Sequence, residues 1–180
     1  VSTPISGGAL ARWAGRLPAH VVNGITVALG VAGVHGLLGA LAGPHAAQLA
    51  ISGAIYASLG DLPTTPGRSW PRVLAAAAVG CATALLMVLL APAPLARGVG
   101  IAALVFLASM VMAWGPRAGP VSFAAVLSIV FTMGLPPGQP PLPLLGWHLL
   151  GAALYLPWSL AVTAALQPRY RRAALAAALD

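Results

Sequence analysis

"SLGDLPTTPGRSWPR", residues 58–72, interrupts a chain that is otherwise almost without charge. It holds Asp61, one of only two acidic residues in 180, and Arg68 and Arg72, two of the nine basic ones. Pro63, Pro66, Pro71 and Trp70 accompany them, while Ala, Leu, Val and Gly dominate on both sides. A charged side chain at the centre of a bilayer costs about 2.5–3.5 kcal/mol or more. A polar segment between two apolar runs is therefore what a loop joining two membrane spans requires.

Composition supports the same reading. Hydrophobic residues make up 59% of the chain and charged residues 6%, against about 25% charged in a soluble domain. So few charges cannot cover a water-facing surface, and the chain is expected to be an all-α integral membrane protein. The net charge of +7 does not point to nucleic acid, because the basic groups lie between apolar runs rather than on one face. The single cysteine, Cys81, gives neither a disulfide framework nor metal-ligand spacing. Lysine is absent and alanine abundant, a composition that resembles that of GC-rich bacterial genomes.

About 20 apolar residues cross the hydrocarbon core at 1.5 Å per residue. Six such runs are expected, at residues 21–41, 46–59, 73–90, 99–114, 121–134 and 147–166. The second and fifth are short, which predicts tilt, an earlier start or shielding by protein. "APAPLARG", "GPRAGP", "LPPGQPPLPLLG" and "QPRYRR" read as the breaks between or after them. Six spans put Arg12, Arg16, Arg68, Arg72, Arg117, Arg169, Arg171 and Arg172 on one side and only Arg97 on the other. The positive-inside rule makes the first side, with both termini, cytoplasmic. Trp13, Trp70, Trp114 and Trp147 fall near span ends, where amphipathic rings prefer to sit. The division is then residues 1–19 as a cytoplasmic segment, 20–166 as the six-span bundle, and 167–180 as the start of a cytoplasmic helix or domain.

In lipid, helices associate by close backbone approach, which needs small residues four apart. Four such rows are present: Gly24, Ala28, Ala32, Gly36 and Ala40; Ala46, Ala50, Ala54 and Ser58; Ala76, Gly80 and Ala84; and Ala124, Ser128 and Thr132. The first is the leading interface candidate, because its two glycines weaken a helix unless packing uses them.

"ISGAIYASLGDLPTTPGRSWPRVLAAAAVG" resembles the second-to-third span hairpin of the fusaric acid resistance and aromatic acid exporter family (FUSC, YccS-like). "MAWGPRAGPVSFAAVLSIVFTMG" is similar to that family's Gly-Arg turn before the fifth span, and "WHLLGAALYLPWSLAVTAALQPRYRRAALAAAL" to its sixth span, exit proline and arginines. The resemblance covers most of residues 20–180 and rests on order and spacing. It implies a multi-pass protein of the bacterial inner membrane that exports small organic, often aromatic, acids. It also implies a homo-oligomer, such as a dimer, or a second six-span block, and in many members a large cytoplasmic domain beyond the sixth span.

Several polar residues are candidates for substrate binding. His35 lies within the first span, where an ionisable group is a functional candidate by default; a neutral histidine bonded to a backbone carbonyl is the plainer alternative. His45 and His148 flank outer span ends and read as interfacial, yet with Arg97 they make the outer end electropositive. Gln48 and Asn23 are expected to form hydrogen bonds between helices. Ser128 and Thr132 share a face, and such hydroxyls usually bond to their own helix. The substrate-binding set is therefore His35, Gln48, Arg97, Thr132 and His148, with Phe106, Phe123, Phe131 or Tyr155 as an apolar wall. Asp61 with Arg68 or Arg72 is expected to shape the loop as an exposed ion pair worth about 0–1 kcal/mol. Pro157 should kink the sixth span.

No activated nucleophile, paired carboxylates or metal motif is evident, so neither enzyme activity nor a metal or cofactor is expected. The expected partners are the lipid bilayer and a small organic anion. Efflux is the leading function. An anion channel formed by a homodimer and a membrane anchor for a cytoplasmic domain are the alternatives.

Overall fold

The computed structural model describes residues 18–61, 66–115 and 118–176. Arg12, Arg16 and Arg117 lie outside them, as do the side chains of Arg68, Arg169, Arg171 and Arg172. Six helices are present among the described residues: α1 (Ala19–Ala42), α2 (Pro44–Leu59), α3 (Pro66–Leu89), α4 (Pro94–Met112), α5 (Gly119–Met133) and α6 (Pro141–Ala176). No strand occurs among the described residues.

Each of the six expected apolar runs lies in or largely within a helix, four of these helices being long and apolar enough to cross a membrane, and several begin earlier than the sequence suggests. The reason is proline. It ends a helix from within, yet its missing N–H costs nothing in the first turn, where that group has no partner anyway. Helices α2, α4 and α5 carry proline at their first or second position. Helices α3 and α6 also open on proline. The segment 135–146, expected to be too proline-rich for a helix, therefore already contains the first turns of α6. Likewise α3 starts at Pro66, so Arg68 and Arg72 belong to its first two turns and the polar loop is shorter than expected. At the other end, α6 runs unbroken through Pro157 and past Leu166 to Ala176.

Helix α2 is the centre of the bundle and packs against α1, α3, α5 and α6. Its small residues let neighbouring backbones come close. Gly53 lies against the backbone of His148, and Gly151 lies against the backbone of Ala50, so α2 and α6 touch main chain to main chain. A Cβ at either glycine would overlap a carbonyl group. At 16 residues, α2 is only about 24 Å long. Burial of Ala46, Ala47, Leu49, Ala50, Gly53, Ala54, Tyr56 and Ala57 shows how so short a helix is accommodated: protein, not lipid, covers much of it.

Three of the four small-residue rows lie at these contacts. Ala46, Ala50 and Ala54 of α2 are buried, as are Ala76, Gly80 and Ala84 of α3 and Ala124, Ser128 and Thr132 of α5. The row on α1 is different. Gly24, Ala28, Ala32, Gly36 and Ala40 all point outward, and nothing lies within 4 Å of a Cβ built at Gly24 or Gly36. Helix α1 instead meets the bundle through Gly30, Val34 and Leu38, with Gly30 against Trp158 and Tyr155. The leading sequence candidate is thus not an interface within the chain.

Helix α4 is the outermost element. Only 6% of its span is buried, against 44% for the apolar part of α3. It packs chiefly on α5, where the Ser122 hydroxyl donates to the Ala108 carbonyl at 2.6 Å. Large apolar side chains such as Leu29, Leu37, Phe106, Leu107, Phe123 and Val130 are exposed around the bundle. Four helices, α1, α3, α4 and α6, are long and apolar enough to cross a membrane. With that belt, water is not the solvent for this surface, and the chain is a multi-pass membrane protein in contact with lipid.

Candidate functional site

The bundle has a cavity of about 720 Å³ where α3 ends, α4 begins, α5 ends and α6 begins. Met87, Arg97, Thr132 and Gln139 line it, together with Pro92 and the prolines of residues 136–141. Of these prolines only Pro141 opens a helix, and together they leave few backbone N–H donors at the mouth. Arg97, placed one turn into α4, is half-buried, and its Nε is enclosed without a hydrogen-bond partner. Thr132 is buried and donates its hydroxyl to the Ser128 carbonyl at 2.7 Å, so its oxygen keeps lone pairs but no free proton. The cavity thus offers one cationic donor group, with the Gln139 amide and the Thr132 oxygen as the other polar side chains in a mostly apolar lining.

Of the five substrate-binding candidates, the cavity brings together Arg97 and Thr132. His35 and Gln48 are exposed on the outer surfaces of α1 and α2, and His45 is exposed at the start of α2. His148 is not interfacial. It is 1% exposed, because α6 begins at Pro141 and places position 148 two turns inside the helix. Its Nδ1 donates to the Leu144 carbonyl at 2.9 Å, since a carbonyl can only accept. Its ring lies 5.7 Å from that of Tyr56.

Tyr56 was not evident as a special residue from sequence. It is fully buried, and its ring stacks on Phe131 at a centroid distance of 6.1 Å. Its hydroxyl has no hydrogen-bond partner among the described residues. The only sequence signal was a lone tyrosine among small residues in "ISGAIYASLG". Of the expected aromatic wall, Phe106 and Phe123 face outward instead.

The opposite end of the bundle is closed by a polar contact. Asp61 is 7% exposed, and its Oδ2 accepts the Tyr155 hydroxyl at 2.8 Å. Its backbone carbonyl accepts Asn23 Nδ2 at 3.0 Å. Nearby, Trp158 Nε1 donates to the Thr26 carbonyl at 2.9 Å. Asp61 is therefore buried and bonded to a tyrosine, rather than set in an exposed pair with Arg72; the side chain of Arg68 lies outside the described ones. Tyr155 is correspondingly a structural donor and not an apolar wall. These contacts tie α1, the end of α2 and α6 together, each hydrogen bond being worth about 0.6 and up to roughly 1.7 kcal/mol in a membrane protein. Among the described residues no three His, Cys, Asp or Glu side chains gather as metal ligands would.

No curated protein and no solved structure matches the chain. A family model described as FUSC-like inner membrane protein yccS matches residues 73–180, which takes in α3 to α6, the cavity and Arg97. The chain belongs to the FUSC-like family of inner membrane proteins.

Proposed function

We propose that this chain is a transporter domain of the bacterial inner membrane that exports small organic acids, aromatic ones included, through a bundle of six spans with both termini in the cytoplasm. It acts by moving its substrate, not by reacting with it. The single observation that carries this reading is Arg97: a guanidinium with an enclosed, unpartnered Nε, facing a cavity of about 720 Å³ at one end of a membrane bundle. A guanidinium recognises carboxylates by charge and by directed N–H donors. In six-span topology this end is periplasmic, and the eight-to-one division of the arginines supports that orientation. The anion leaves the cytoplasm, meets the cation at the outer mouth and is released to the periplasm.

In a full-length protein, Arg97→Gln should lower export of an aromatic carboxylate about tenfold while the protein inserts and accumulates normally. Export at the wild-type rate across several acids would refute the reading. Topology has its own test. A cysteine at position 139 should react with an impermeant reagent from the periplasm, and one at position 65 should not.

A second copy completes the assembly. The outward row from Gly24 to Ala40 on α1 supports this, because glycine exposed to lipid weakens a helix with no packing in return. His35, polar and exposed on the same helix, is also better accommodated against protein than against hydrocarbon.

A further inference from the structure

We propose that the Tyr56 hydroxyl is a substrate-binding donor of the transport path, the next polar group inward from the cavity that holds Arg97. The proposal rests on the transport reading above and adds to it a second, deeper contact.

The first ground is that this buried hydroxyl lacks a hydrogen-bond partner among the described residues, a state it shares with Ser159 Oγ, which lies on α6 well beyond the turns that line the cavity. Tyr155 donates to Asp61, Ser122 to the Ala108 carbonyl, Thr132 to the Ser128 carbonyl, and Ser128 to the Gly80 carbonyl at 2.7 Å. Tyr56 is fully buried, and its hydroxyl donates to nothing. The Ser128 and Ser52 hydroxyls lie beside it, yet not in hydrogen-bonding geometry. Leaving a buried donor unmade is unfavourable, and such groups call for an explanation.

The second ground is that the ring is not free to correct this. Phe131 stacks on one side, His148 is tilted against it, and Gly80 presents its backbone so closely that a Cβ there would meet Cγ of Tyr56 at 2.5 Å. The donor is held in place rather than left loose, which is the form a binding group takes.

The third ground is connection to the cavity. Thr132 lines it, Ser128 lies one turn deeper on the same helix, and the Tyr56 hydroxyl lies beside Ser128. Met87, fully buried, lines the cavity as well. Thr132, Ser128 and Tyr56 are all buried, and of their three hydroxyls only that of Tyr56 lacks a partner among the described residues. With Ser128 spending its proton on Gly80, Tyr56 is the group in this row with a proton to give. The partner it fits is an oxygen acceptor, either the carboxylate of a substrate or a water molecule.

Tyr56→Phe removes only that oxygen and keeps the ring contacts. The full chain would be placed in liposomes, and flux of benzoate, 4-hydroxybenzoate and malate compared for the wild type, Tyr56→Phe and Arg97→Gln, with thermal midpoints in detergent. The expected result is at least a fivefold loss of flux of the best-moved acid in Tyr56→Phe, with a midpoint equal to the wild type or higher. Unchanged flux would overturn the proposal, leaving only a water or an unused hydroxyl. A lowered midpoint would overturn it too, because the hydroxyl would then be holding the fold. If Tyr56→Phe is impaired and Arg97→Gln is not, the inner donor stands and the outer mouth falls. The reverse pattern removes the inner donor alone. A wild type that moves none of the three acids removes both.

Discussion

The two ends of this bundle use polar groups in opposite ways. At one end the Asp61 carboxylate and the Tyr155 hydroxyl satisfy each other, and Asn23 bonds the carbonyl of the same aspartate. At the other, Arg97 faces a cavity with its Nε unpaired. Both sites are polar groups in an apolar bundle, where each is costly unless used. Where the hydrogen bonds are complete, the chemistry is spent on holding helices together. Where one is missing, the group is available to something that comes and goes.

The strongest test of this contrast leaves both ends intact and removes what joins them. Gly151→Leu would drive a side chain into the Ala50 backbone, and neither main chain can move aside without separating α2 from α6. Overpacking commonly costs about 1–3 kcal/mol, and backbone against backbone should sit at or above the top of that range. Loss of folded protein in detergent is expected, and a near-normal melting point would contradict the packing described. At the closed end, Asp61→Ala leaves the Tyr155 hydroxyl without an acceptor and should destabilise by about 1–3 kcal/mol. Asp61→Asn keeps an acceptor and should cost less. A double-mutant cycle with Tyr155→Phe should show that the two losses do not add.

At the open end the effects on stability should be far smaller. Arg97→Gln breaks no intramolecular hydrogen bond at Nε, so melting should stay within about 0.5 kcal/mol of wild type while export falls. A large stability loss would move Arg97 into the structural class with Asp61. No destabilisation of the fold at all is expected from Gly36→Leu. Among the described residues nothing lies within 4 Å of a Cβ at that position, and replacing glycine in a helix gains up to about 0.8–1.0 kcal/mol of propensity. The single chain should be as stable as before, or more so, whereas a dimer built on α1 should dissociate on size-exclusion or crosslinking. A dimer that persists would place the subunit contact elsewhere, with the exposed α4 as the next surface to test.

The all-helical character and the order of the described helices were legible because hydrophobic runs and polar breaks alternate so sharply. Their starting points were not. A proline signals a stop when read from the helix before it and a start when read from the helix after it, and "LPPGQPPLPLLG" contains both meanings. That ambiguity carried His148 from the interface to the interior. Small-residue rows were visible, but period alone does not say which face looks inward. The exposed row on α1 and the buried row on α2 have the same spacing. Arg97 stood out because it is the lone arginine that six spans would put on its side, and it does line the cavity. Tyr56 did not, since an unmade hydrogen bond is a property of the surroundings and leaves no mark in the sequence.

Helix α6 has a mechanical meaning beyond packing. Its first residues form part of the cavity wall, and at Gly151 it rests directly on the α2 backbone. From Pro141 to that point is about 15 Å of helix, and from there to Ala176 about 38 Å. The whole rod, about 54 Å long, exceeds a hydrocarbon core of about 30 Å. Just past Gly151, Tyr155 and Trp158 bond it to Asp61 and Thr26, so the rod is braced like a clamped strut, and the cavity wall formed by its first residues is anchored through it to the closed end of the bundle.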